Sequence, residues 1–365
     1  MASGRDQLDD RYTLIARLQN QKPGAADVAP GFPLATMNIT SLQSHILQEE
    51  TRYPGATGDF SWILSAISLA GKAIAAKVRC ARIEDVLGDG GEANIHGETQ
   101  QKLDVIANHI LMTCLGSRPT IAVVASEEDN EPTILKRGVD GGKYCVVFDP
   151  LDGSSNLDVC VSVGTIFSIL KNDPTIPGAV ETLCQRGSSQ VAAGYILYGS
   201  STVFVLTTGH GVDMFVLDPS IGSFVLVASG VRIPDAGKIY SVNEANRQTF
   251  PAGIQRYLDW AHGEGYSSRY IGSMVADVHR TLVKGGVFLY PPTRQNPKGK
   301  LRLMYEANPM AMIVEQAGGV AVAPAVAEGE PPARILDILP VGIHQRTSVL
   351  LGSPREVEHV VQYLR

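Results

Sequence analysis

The stretch 143–158 combines two acidic side chains with a run of small residues, a pattern that can bind a cation and a phosphate together. Its short apolar run predicts a buried strand that ends at Asp149. Pro150 cannot continue strand pairing, and a second acid, Asp152, lies three positions after the first. Carboxylates are the hard oxygen ligands that Mg²⁺ prefers, and the small residues 153–155 expose backbone N–H groups that can hold phosphate oxygens. The alternative is an ordinary Asp-Pro turn between two strands, with no ligand.

Further acids stand where other predicted strands end. A strand predicted over 120–125 runs into Glu127 and Glu128, and a strand predicted over 301–305 is closed by Glu306. Like charges gathered at strand ends repel one another unless cations hold them, so convergence on a metal site is one interpretation. An acidic loop in water is the other.

Two more acids belong to a helix predicted over 99–115. Glu98 precedes this helix, and Asp104 lies on it between the apolar Leu103 and Val105. A carboxylate beside a core-facing stripe is costly unless it is paired or functional, whereas a solvated helix face would be unremarkable. Glu98 and the acids at the strand ends exceed what one Mg²⁺ needs, which implies two or more ions.

Paired Mg²⁺ ions suit the attack of water on a phosphate ester. Other reaction classes lack their residues, because the sequence offers no candidate Ser-His-Asp set and no cysteine nucleophile with a nearby base. The glycine-rich motifs that bind dinucleotides and nucleoside triphosphates are also absent. Metal-assisted phosphate ester hydrolysis is therefore the favoured chemistry.

A second anion site is indicated by the loop 53–61, which leads into a helix predicted over 60–80. Glycines give the loop backbone freedom, and Thr57, Asp59 and Ser61 place polar groups beside the helix start. A helix N-terminus with exposed N–H groups is a natural phosphate site. A helix cap with no ligand is the alternative.

Composition narrows the class of protein. A length of 365 residues favours two domains, and a formal net charge of −6 without a Lys/Arg cluster argues against nucleic-acid binding. Five widely spaced cysteines indicate buried free thiols rather than disulfides or zinc ligands. The most apolar segment, 62–76, is broken by Lys72 and is too short to span a bilayer. Without a secretory signal, a cytoplasmic protein with no membrane contact is expected.

The chain divides by pattern into three parts. Residues 1–36 are rich in Ala, Gly, Pro and Asp without periodicity, which predicts a flexible extension. Short alternating strands over 191–228 predict an antiparallel meander, with a domain boundary near residue 231. The predicted domains are 37–231 and 232–365.

Five motifs, in this order, resemble class I fructose-1,6-bisphosphatases, within the Mg²⁺-dependent, lithium-sensitive sugar phosphatase superfamily that includes inositol monophosphatases. They are Ser-Glu-Glu-Asp (126–129), Phe-Asp-Pro-Leu-Asp-Gly-Ser-Ser-Asn (148–156), Ser-Val-Gly-Thr-Ile-Phe (162–167), Tyr-Ile-Gly-Ser-Met-Val-Ala-Asp-Val-His-Arg-Thr-Leu-Val (270–283) and Gly-Lys-Leu-Arg-Leu-Met-Tyr-Glu-Ala-Asn-Pro-Met (299–310). The resemblance covers roughly residues 38–362. It implies an α/β fold, a layered α-β-α-β-α sandwich with mixed sheets. Residues 37–231 would form an allosteric and metal-site domain and 232–365 a sugar-bisphosphate-binding domain, assembled as a homotetramer.

The resemblance also implies a metal centre with two or more Mg²⁺ ions, for which Mn²⁺ or Zn²⁺ could substitute. The matching metal ligands are Glu98, Glu127, Glu128, Asp149, the Leu151 carbonyl, Asp152 and Glu306. Glu98 stands where many relatives have Asp, one methylene shorter. Asp104 matches the acid that helps Glu128 activate the attacking water, and Glu98 is counted with them as catalytic.

For the substrate, the resemblance assigns the reacting 1-phosphate to Gly153, Ser154 and Ser155. The 6-phosphate and sugar residues are Asn243, Asn246, Tyr270, Met274, Tyr290 and Lys300. Asn246 departs from animal relatives, which carry Tyr there. Arg269 matches an arginine that reaches the site of the neighbouring subunit.

An AMP inhibitory site is implied as well. Its matching residues are Thr57, Gly58, Asp59, Phe60, Ser61, Lys143, Tyr144 and Lys171. Lys171 stands where animal relatives have Arg, which loses the fork geometry but keeps the charge. Plant plastid relatives carry a cysteine-bearing loop near 171–189, where Cys184 is alone here, so no disulfide switch is expected.

The prediction is Mg²⁺-dependent hydrolysis of the 1-phosphate of fructose 1,6-bisphosphate to fructose 6-phosphate and phosphate, inhibited by AMP. Such a step serves gluconeogenesis or the Calvin cycle. A sedoheptulose-1,7-bisphosphatase or a dual-specificity bisphosphatase is the alternative within the enzyme class. A catalytically silent AMP-sensing scaffold is the alternative outside it, disfavoured because every catalytic carboxylate is present.

Overall fold

The computed structural model describes residues 39–51, 58–93, 99–136, 141–325 and 329–365. The predicted N-terminal extension, Thr57 and Glu98 lie outside the described residues, so what was expected of them stays a prediction. The elements from Thr40 to Arg365 belong to one compact unit. The boundary near residue 231 stays a prediction as well.

Three helices form an outer layer: α1 (Leu42–Thr51), α2 (Asp59–Cys80) and α3 (Lys102–Gly116). The buried face of α2 carries Ile63, Ile67, Ala70 and Ile74, the helical spacing of an amphipathic helix. Two short antiparallel strands, β1 (Asp89–Ala93) and β2 (Thr99–Gln101), stand between α2 and α3 in the chain. Because β2 takes the residues at which a helix was expected to begin, α3 starts three residues later than predicted.

The first sheet has eight strands in the order β10-β9-β8-β7-β6-β5-β3-β4. Their bounds are β3 Ile121–Ser126, β4 Thr133–Ile134, β5 Tyr144–Asp152, β6 Val163–Lys171, β7 Gln190–Tyr198, β8 Thr202–Thr207, β9 Asp213–Asp218 and β10 Ser223–Ala228. A short helix, α4 (Ala179–Leu183), connects β6 to β7. β3 and β5 are parallel and the other pairs are antiparallel, which confirms the predicted meander.

The second sheet has six strands in the order β12-β11-β13-β18-β15-β16. Their bounds are β11 Ile239–Ser241, β12 Ser267–Ser268, β13 Val287–Tyr290, β15 Val320–Ala323, β16 Ala333–Arg334 and β18 Val349–Gly352. β14 (Leu301–Arg302) pairs with β17 (Arg346–Thr347) apart from this sheet. The helices of this half are α5 Ala252–Gly263, α6 Met274–Lys284, α7 Asn308–Gln316 and α8 Pro354–Leu364. β11 runs parallel to β12 and β13, so this sheet is mixed too.

Alternating side chains divide the core into layers. On β7, Ile196 packs in the core that includes α2 and α3, whereas its neighbour Tyr195 packs in the core of α6 and α7. On β13, Phe288 joins that same middle core, and Leu289 faces the core of α5 and α8. The order is therefore helices, first sheet, helices α6 and α7, second sheet, helices α5 and α8. This confirms the predicted α-β-α-β-α sandwich.

The strand that carries the first two acids is longer than predicted. It was expected to end at Asp149, but β5 continues to Asp152 through a bulge, in which Asp149 pairs with Ile166 and Asp152 with Gly164. Pro150 falls inside this bulge, where its missing N–H costs no ladder hydrogen bond. The bulge therefore bends β5 near its end, and the strand continues to Asp152.

The strand predicted over 301–305 is also wrong in extent. Only β14 is extended, and a π-helical turn, Leu303–Ala307, follows and runs directly into α7. Asn308 is therefore the first residue of α7. Tertiary packing decides this, because all five residues of the turn are buried.

Two smaller expectations concern the cysteines and the membrane. All five cysteines are free, as predicted, but only Cys145 is buried, and Cys160 is exposed. Among the described residues, α2 alone is long and apolar enough to cross a membrane, with a mean hydropathy of 1.3 over its best window. Half of that window (50%) is buried inside the fold, as in a core helix. The cytoplasmic location stays a prediction.

Candidate active site

The acids that follow β3 and β5 meet at one edge of the first sheet. These strands are parallel neighbours, with Ser126 opposite Phe148. Their carboxyl ends therefore lie side by side. The Glu127 N–H donates to the Phe148 carbonyl at 3.0 Å, which sets Glu127 beside the bulge of β5.

Three carboxylates form a compact cluster at this edge. One oxygen from each of Asp149, Asp152 and Glu306 lies within 4.8 Å of the other two. The three residues are only 8%, 9% and 8% exposed. Glu306 belongs to the π-helical turn, and π turns often occur at functional sites. Buried oxygen ligands in this number are a donor set that suits a divalent cation.

Burial and mutual repulsion make the cluster reluctant to ionise. Burial, followed by the charges of Glu127 and Asp152, holds the pKa of Asp149 well above its usual range. Burial and then the charge of Asp152 raise the pKa of Glu306 to about 8. Burial also raises the pKa of Asp152, against the hydrogen bond from Ser273. A cation at the centre would relieve this repulsion.

Each carboxylate of the cluster is oriented through one oxygen. Asp149 Oδ1 accepts from the Leu151 N–H at 2.9 Å, and Glu306 Oε2 accepts from the Arg302 N–H at 2.6 Å. Asp152 Oδ2 accepts from Ser273 Oγ at 2.6 Å and from the Val275 N–H at 2.9 Å. Asp152 thus sits at the N-terminus of α6, where a negative charge is favoured. Within the described chain, these hydrogen bonds leave the second oxygen of each carboxylate for a ligand.

Glu127 differs from the cluster because it already has a cationic partner. Its Oε1 lies 2.9 Å from Nη2 of Arg302, and the Arg302 side chain is only 3% exposed. A buried pair of this kind is strongly destabilised when one member is removed. Glu127 and Glu128 both face the same cavity as the cluster. Sequence reasoning did not single out Arg302, although the motif shows an arginine two residues after Lys300.

The predicted phosphate loop, residues 153–155, follows the cluster directly. Gly153 has φ 76° and precedes a 3₁₀ turn, Ser154–Val159, whose first residues are Ser154 and Ser155. A Cβ at Gly153 would lie 2.6 Å from the Cβ of Ser273. Both the left-handed backbone and the close approach of α6 therefore require glycine. The turn presents small side chains and backbone N–H groups beside the carboxylates.

Asp104 lies in the first turn of α3, next to the side chain of Ser154. It is 3% exposed, so the solvated-face alternative is wrong. Its Oδ2 accepts from the Gln101 N–H at 3.0 Å, as part of a capping box. Burial raises the pKa of Asp104 to about 6, partly opposed by Gln101 and by the side chain of Ser154. A carboxylate with a pKa near neutrality can accept a proton from water at working pH.

One cavity of about 520 Å³ brings most of the predicted active-site residues together. Its lining combines the acids and residues 153–155 with aromatic and basic side chains. The predicted residues that line it are Glu127, Glu128, Asp149, Leu151, Asp152, Gly153, Ser154, Ser155, Tyr270, Met274, Tyr290, Lys300 and Glu306. Asn243, Asn246 and Arg269 are exposed and do not line it. Their roles stay predictions.

The predicted nucleotide residues gather at the other end of β5. Gly58 has φ 72° and precedes α2, and the Asp59 carboxylate pairs with the Lys143 ammonium. The Phe60 and Tyr144 rings lie 6.0 Å apart between centroids. Ser61 donates to Glu50, and Lys171 stands opposite Tyr144 on β6. Seven of the eight predicted residues therefore share one region, and Thr57 lies outside the described residues.

Two protein families match this chain over nearly all of its described length. The fructose-1-6-bisphosphatase N-terminal domain family matches residues 40–229, and the fructose-1-6-bisphosphatase C-terminal domain family matches residues 233–365. The chain belongs to the fructose-1,6-bisphosphatase family.

Individual relatives agree with this membership. A class 1 fructose-1,6-bisphosphatase of Persephonella marina is 49% identical over 324 residues, which is 88% of this chain and 98% of that protein. One from Chlorobium luteolum is 47% identical over 328 residues, 88% of this chain and 96% of that protein. The crystal structure of Leishmania major fructose-1,6-bisphosphatase in holo form has a TM-score of 0.83 at 42% identity, covering 89% of this chain and 98% of that one.

The fructose-1,6-bisphosphatase site of this chain includes residues that sequence reasoning missed. Ser273 and Val275 orient Asp152, and Arg302 pairs with Glu127. Ser273 carried a signal, since a serine before an apolar helix predicts an N-cap. The partner of each residue lies far away in the chain, so spacing alone could not show the contacts.

Proposed function

We propose that the chain hydrolyses the 1-phosphate of fructose 1,6-bisphosphate, releasing fructose 6-phosphate and inorganic phosphate. The main support is that one carboxylate oxygen from each of Asp149, Asp152 and Glu306 lies within 4.8 Å of the other two, beside the predicted phosphate loop. The cavity of about 520 Å³ that holds them is also lined by Tyr270, Tyr290 and Lys300. This arrangement supports a substrate with two phosphates, one at each end.

The residues present fit divalent metal ions, with Mg²⁺ as our proposal. The fit rests on hard oxygen donors whose pKa values are raised by burial and mutual repulsion, a cost that a cation would offset. We propose Asp149, Asp152, Glu306, Glu127, Glu128 and the Leu151 carbonyl as ligands for two or more ions, with Glu98 in support. When bound, such ions polarise the phosphoryl group and neutralise charge that develops on its oxygens. Mn²⁺ or Zn²⁺ would supply the same charge.

The side chains around the cluster divide the remaining work. Asp104 is proposed to accept the proton of the attacking water, together with Glu128, because its pKa of about 6 keeps it mostly ionised at neutral pH. Residues 153–155 hold the oxygens of the reacting phosphate through their N–H groups and hydroxyls. The arrangement fixes the phosphate next to the ions before water attacks.

The distal end of the cavity is proposed to bind the 6-phosphate and the sugar. Lys300 supplies a positive charge, Tyr270 and Tyr290 supply hydroxyl donors, and Met274 packs on the ring. Asn243 and Asn246 would join them from the exposed segment at the end of β11. Arg269 is exposed and is proposed to reach the site of a neighbouring subunit in a homotetramer.

We also propose AMP as an inhibitor that binds at the start of α2. Gly58 to Ser61 offer backbone N–H groups at a helix N-terminus, and Lys143 and Lys171 offer positive charge. Lys143 pairs with Asp59, so an incoming phosphate would compete for that ammonium. Phe60 and Tyr144 supply rings next to this anion site.

One assay tests these proposals together. Phosphate release is measured from fructose 1,6-bisphosphate, sedoheptulose 1,7-bisphosphate and inositol 1-phosphate, with Mg²⁺ or with EDTA, and with or without AMP. We expect Mg²⁺-dependent release from fructose 1,6-bisphosphate that AMP reduces. Preference for the seven-carbon sugar would favour the alternative substrate, and release from neither bisphosphate would refute the proposed activity.

A further inference from the structure

A fully buried acid, Asp277, contacts the loop that carries Tyr270. It belongs to the first turn of α6 and is 0% exposed. Asp277 also contributes to the cavity wall. An ionised carboxylate at such a position is stable only when several donors surround it.

Four groups donate to the two oxygens of Asp277. Oδ1 accepts from Ser241 Oγ at 2.8 Å and from Arg280 Nη2 at 2.8 Å. The Ile271 N–H lies 3.0 Å from Oδ1 and 3.1 Å from Oδ2. The Gly272 N–H donates to Oδ2 at 3.0 Å. Because a carboxylate is an acceptor only, it can satisfy all four groups at once.

These donors connect three elements that carry predicted substrate residues. Ser241 ends β11, two residues before Asn243, and the N–H groups of Ile271 and Gly272 directly follow Tyr270. Arg280 also donates to the Arg269 carbonyl, so it clamps the other side of Tyr270. The carboxylate therefore fixes the end of β11 and the loop 269–272 against α6.

We propose that Asp277 is a positioning residue that holds Tyr270 and the end of β11 in place for the distal phosphate. The inference rests on the proposed function, since that function defines the distal phosphate. Asp277 does not touch the substrate in this role. It determines where the phosphate-binding side chains stand.

Residues at the start of α6 therefore orient two different parts of the proposed site. Ser273 Oγ and the Val275 N–H orient Asp152 at the metal end, whereas Asp277 orients the loop at the sugar end. Loss of the Asp277 carboxylate should therefore weaken binding of the distal phosphate more than it slows the chemical step. In kinetic terms, KM should change more than kcat.

The test compares Asp277→Asn with the wild-type protein. The substitution keeps the size of the side chain but replaces one acceptor oxygen with a donor NH₂ group, which must face an N–H, a hydroxyl or the guanidinium. We expect KM for fructose 1,6-bisphosphate to rise roughly 10- to 100-fold, as for the loss of one charge-assisted hydrogen bond. The inhibition constant of the product fructose 6-phosphate should rise by a similar factor, while kcat and the Mg²⁺ concentration for half activity change less than about threefold.

Three further variants make the result decisive. Ser241→Ala removes one donor to Asp277 without disturbing a charge, and should raise KM by roughly two- to fivefold. In Asp277→Asn/Ser241→Ala, the effects on KM should be less than additive because both act through one contact. Asp213→Asn is the matched control, since Asp213 pairs with His45 at 2.8 Å on β9, outside the cavity. It should lower thermal stability without changing KM.

The outcomes separate the inference from the function on which it rests. If the wild type releases phosphate but KM and the fructose 6-phosphate constant are unchanged in Asp277→Asn, Asp277 is only structural and the inference is wrong. If Asp277→Asn does not fold, an unchanged KM in Ser241→Ala overturns it. No activity of the wild type on fructose 1,6-bisphosphate would instead refute the proposed function.

Discussion

The metal-free protein should lose stability as the pH rises from 5.5 to 8, because of the carboxylate cluster. In the folded state burial raises the pKa of Glu306 from 4.5 to about 8. In the unfolded chain Glu306 ionises at its ordinary pKa. Between these two values the folded state holds the proton more tightly, so each rise in pH favours unfolding. The penalty is absent at low pH and complete above the folded pKa.

The magnitude follows from the shift. One pKa unit corresponds to about 1.4 kcal/mol, so Glu306 alone destabilises the metal-free fold by roughly 1 kcal/mol at pH 5.5 and by roughly 4 kcal/mol at pH 8. For a chain of this length each kcal/mol moves Tm by roughly 1 to 2 °C. Tm should therefore fall by about 3 to 6 °C across this range. Divalent cations bind the ionised form, so Mg²⁺ should stabilise the protein more at pH 8 than at pH 5.5.

The assay is thermal unfolding at pH 5.5, 6.5, 7.25 and 8, each in EDTA and in excess Mg²⁺. Glu306→Gln is the control, since it cannot ionise but can still accept the hydrogen bond from the Arg302 N–H. In EDTA at pH 8 this variant should be more stable than the wild type, with a smaller pH dependence and little gain from Mg²⁺. A wild type that is equally stable at pH 5.5 and 8 in EDTA, or a variant less stable than the wild type at pH 8, would refute the reasoning.

Three further predictions address single residues. Asp149→Asn removes a charged ligand and should lower kcat by roughly a thousandfold or more while size-exclusion chromatography shows an unchanged assembly; near-normal turnover would remove Asp149 from the metal site. Gly153→Ala should lower kcat/KM by roughly a hundredfold and stability by about 1 to 3 kcal/mol, because φ is 76° and the new Cβ meets Ser273 at 2.6 Å. Gly222→Ala, with φ 62° and open space around its Cβ, should show only the smaller backbone cost in urea unfolding. Lys143→Met should raise the AMP concentration for half inhibition roughly tenfold, and inhibition like that of the wild type would exclude Lys143 from the nucleotide site.

Much of the fold was predictable because its patterns are local. β8, β9 and β10 lie within 191–228, where alternation predicted short strands, and α2 begins one residue before its predicted start. The convergence of Asp149 with Glu127 was also predictable. Because β3 and β5 are parallel neighbours, the acids at their carboxyl ends must lie close together.

What was not predictable depends on contacts between distant parts of the chain. Pro150 suggested the end of a strand, but β6 continues to pair beyond it through a bulge. Residues after Arg302 looked extended, yet packing turns them into a π-helical turn that points Glu306 at the cluster. The contact of Asp277 with Ser241 and that of Asp104 with Ser154 could not be read from spacing, because the partners lie far apart in the chain.

The arrangement of the cluster explains why function and stability are opposed in this protein. Asp149 and Asp152 come from the first sheet, Glu306 from the turn before α7, and the donors to Asp152 from the start of α6. Packing of the middle layer therefore buries these three carboxylates close together, and burial first, then the neighbouring charges, raises their pKa values. An apolar cluster of the same size would be more stable, but it could not hold a cation. Since the cation removes the repulsion that packing creates, binding of the ion and tight packing of the layers must favour each other.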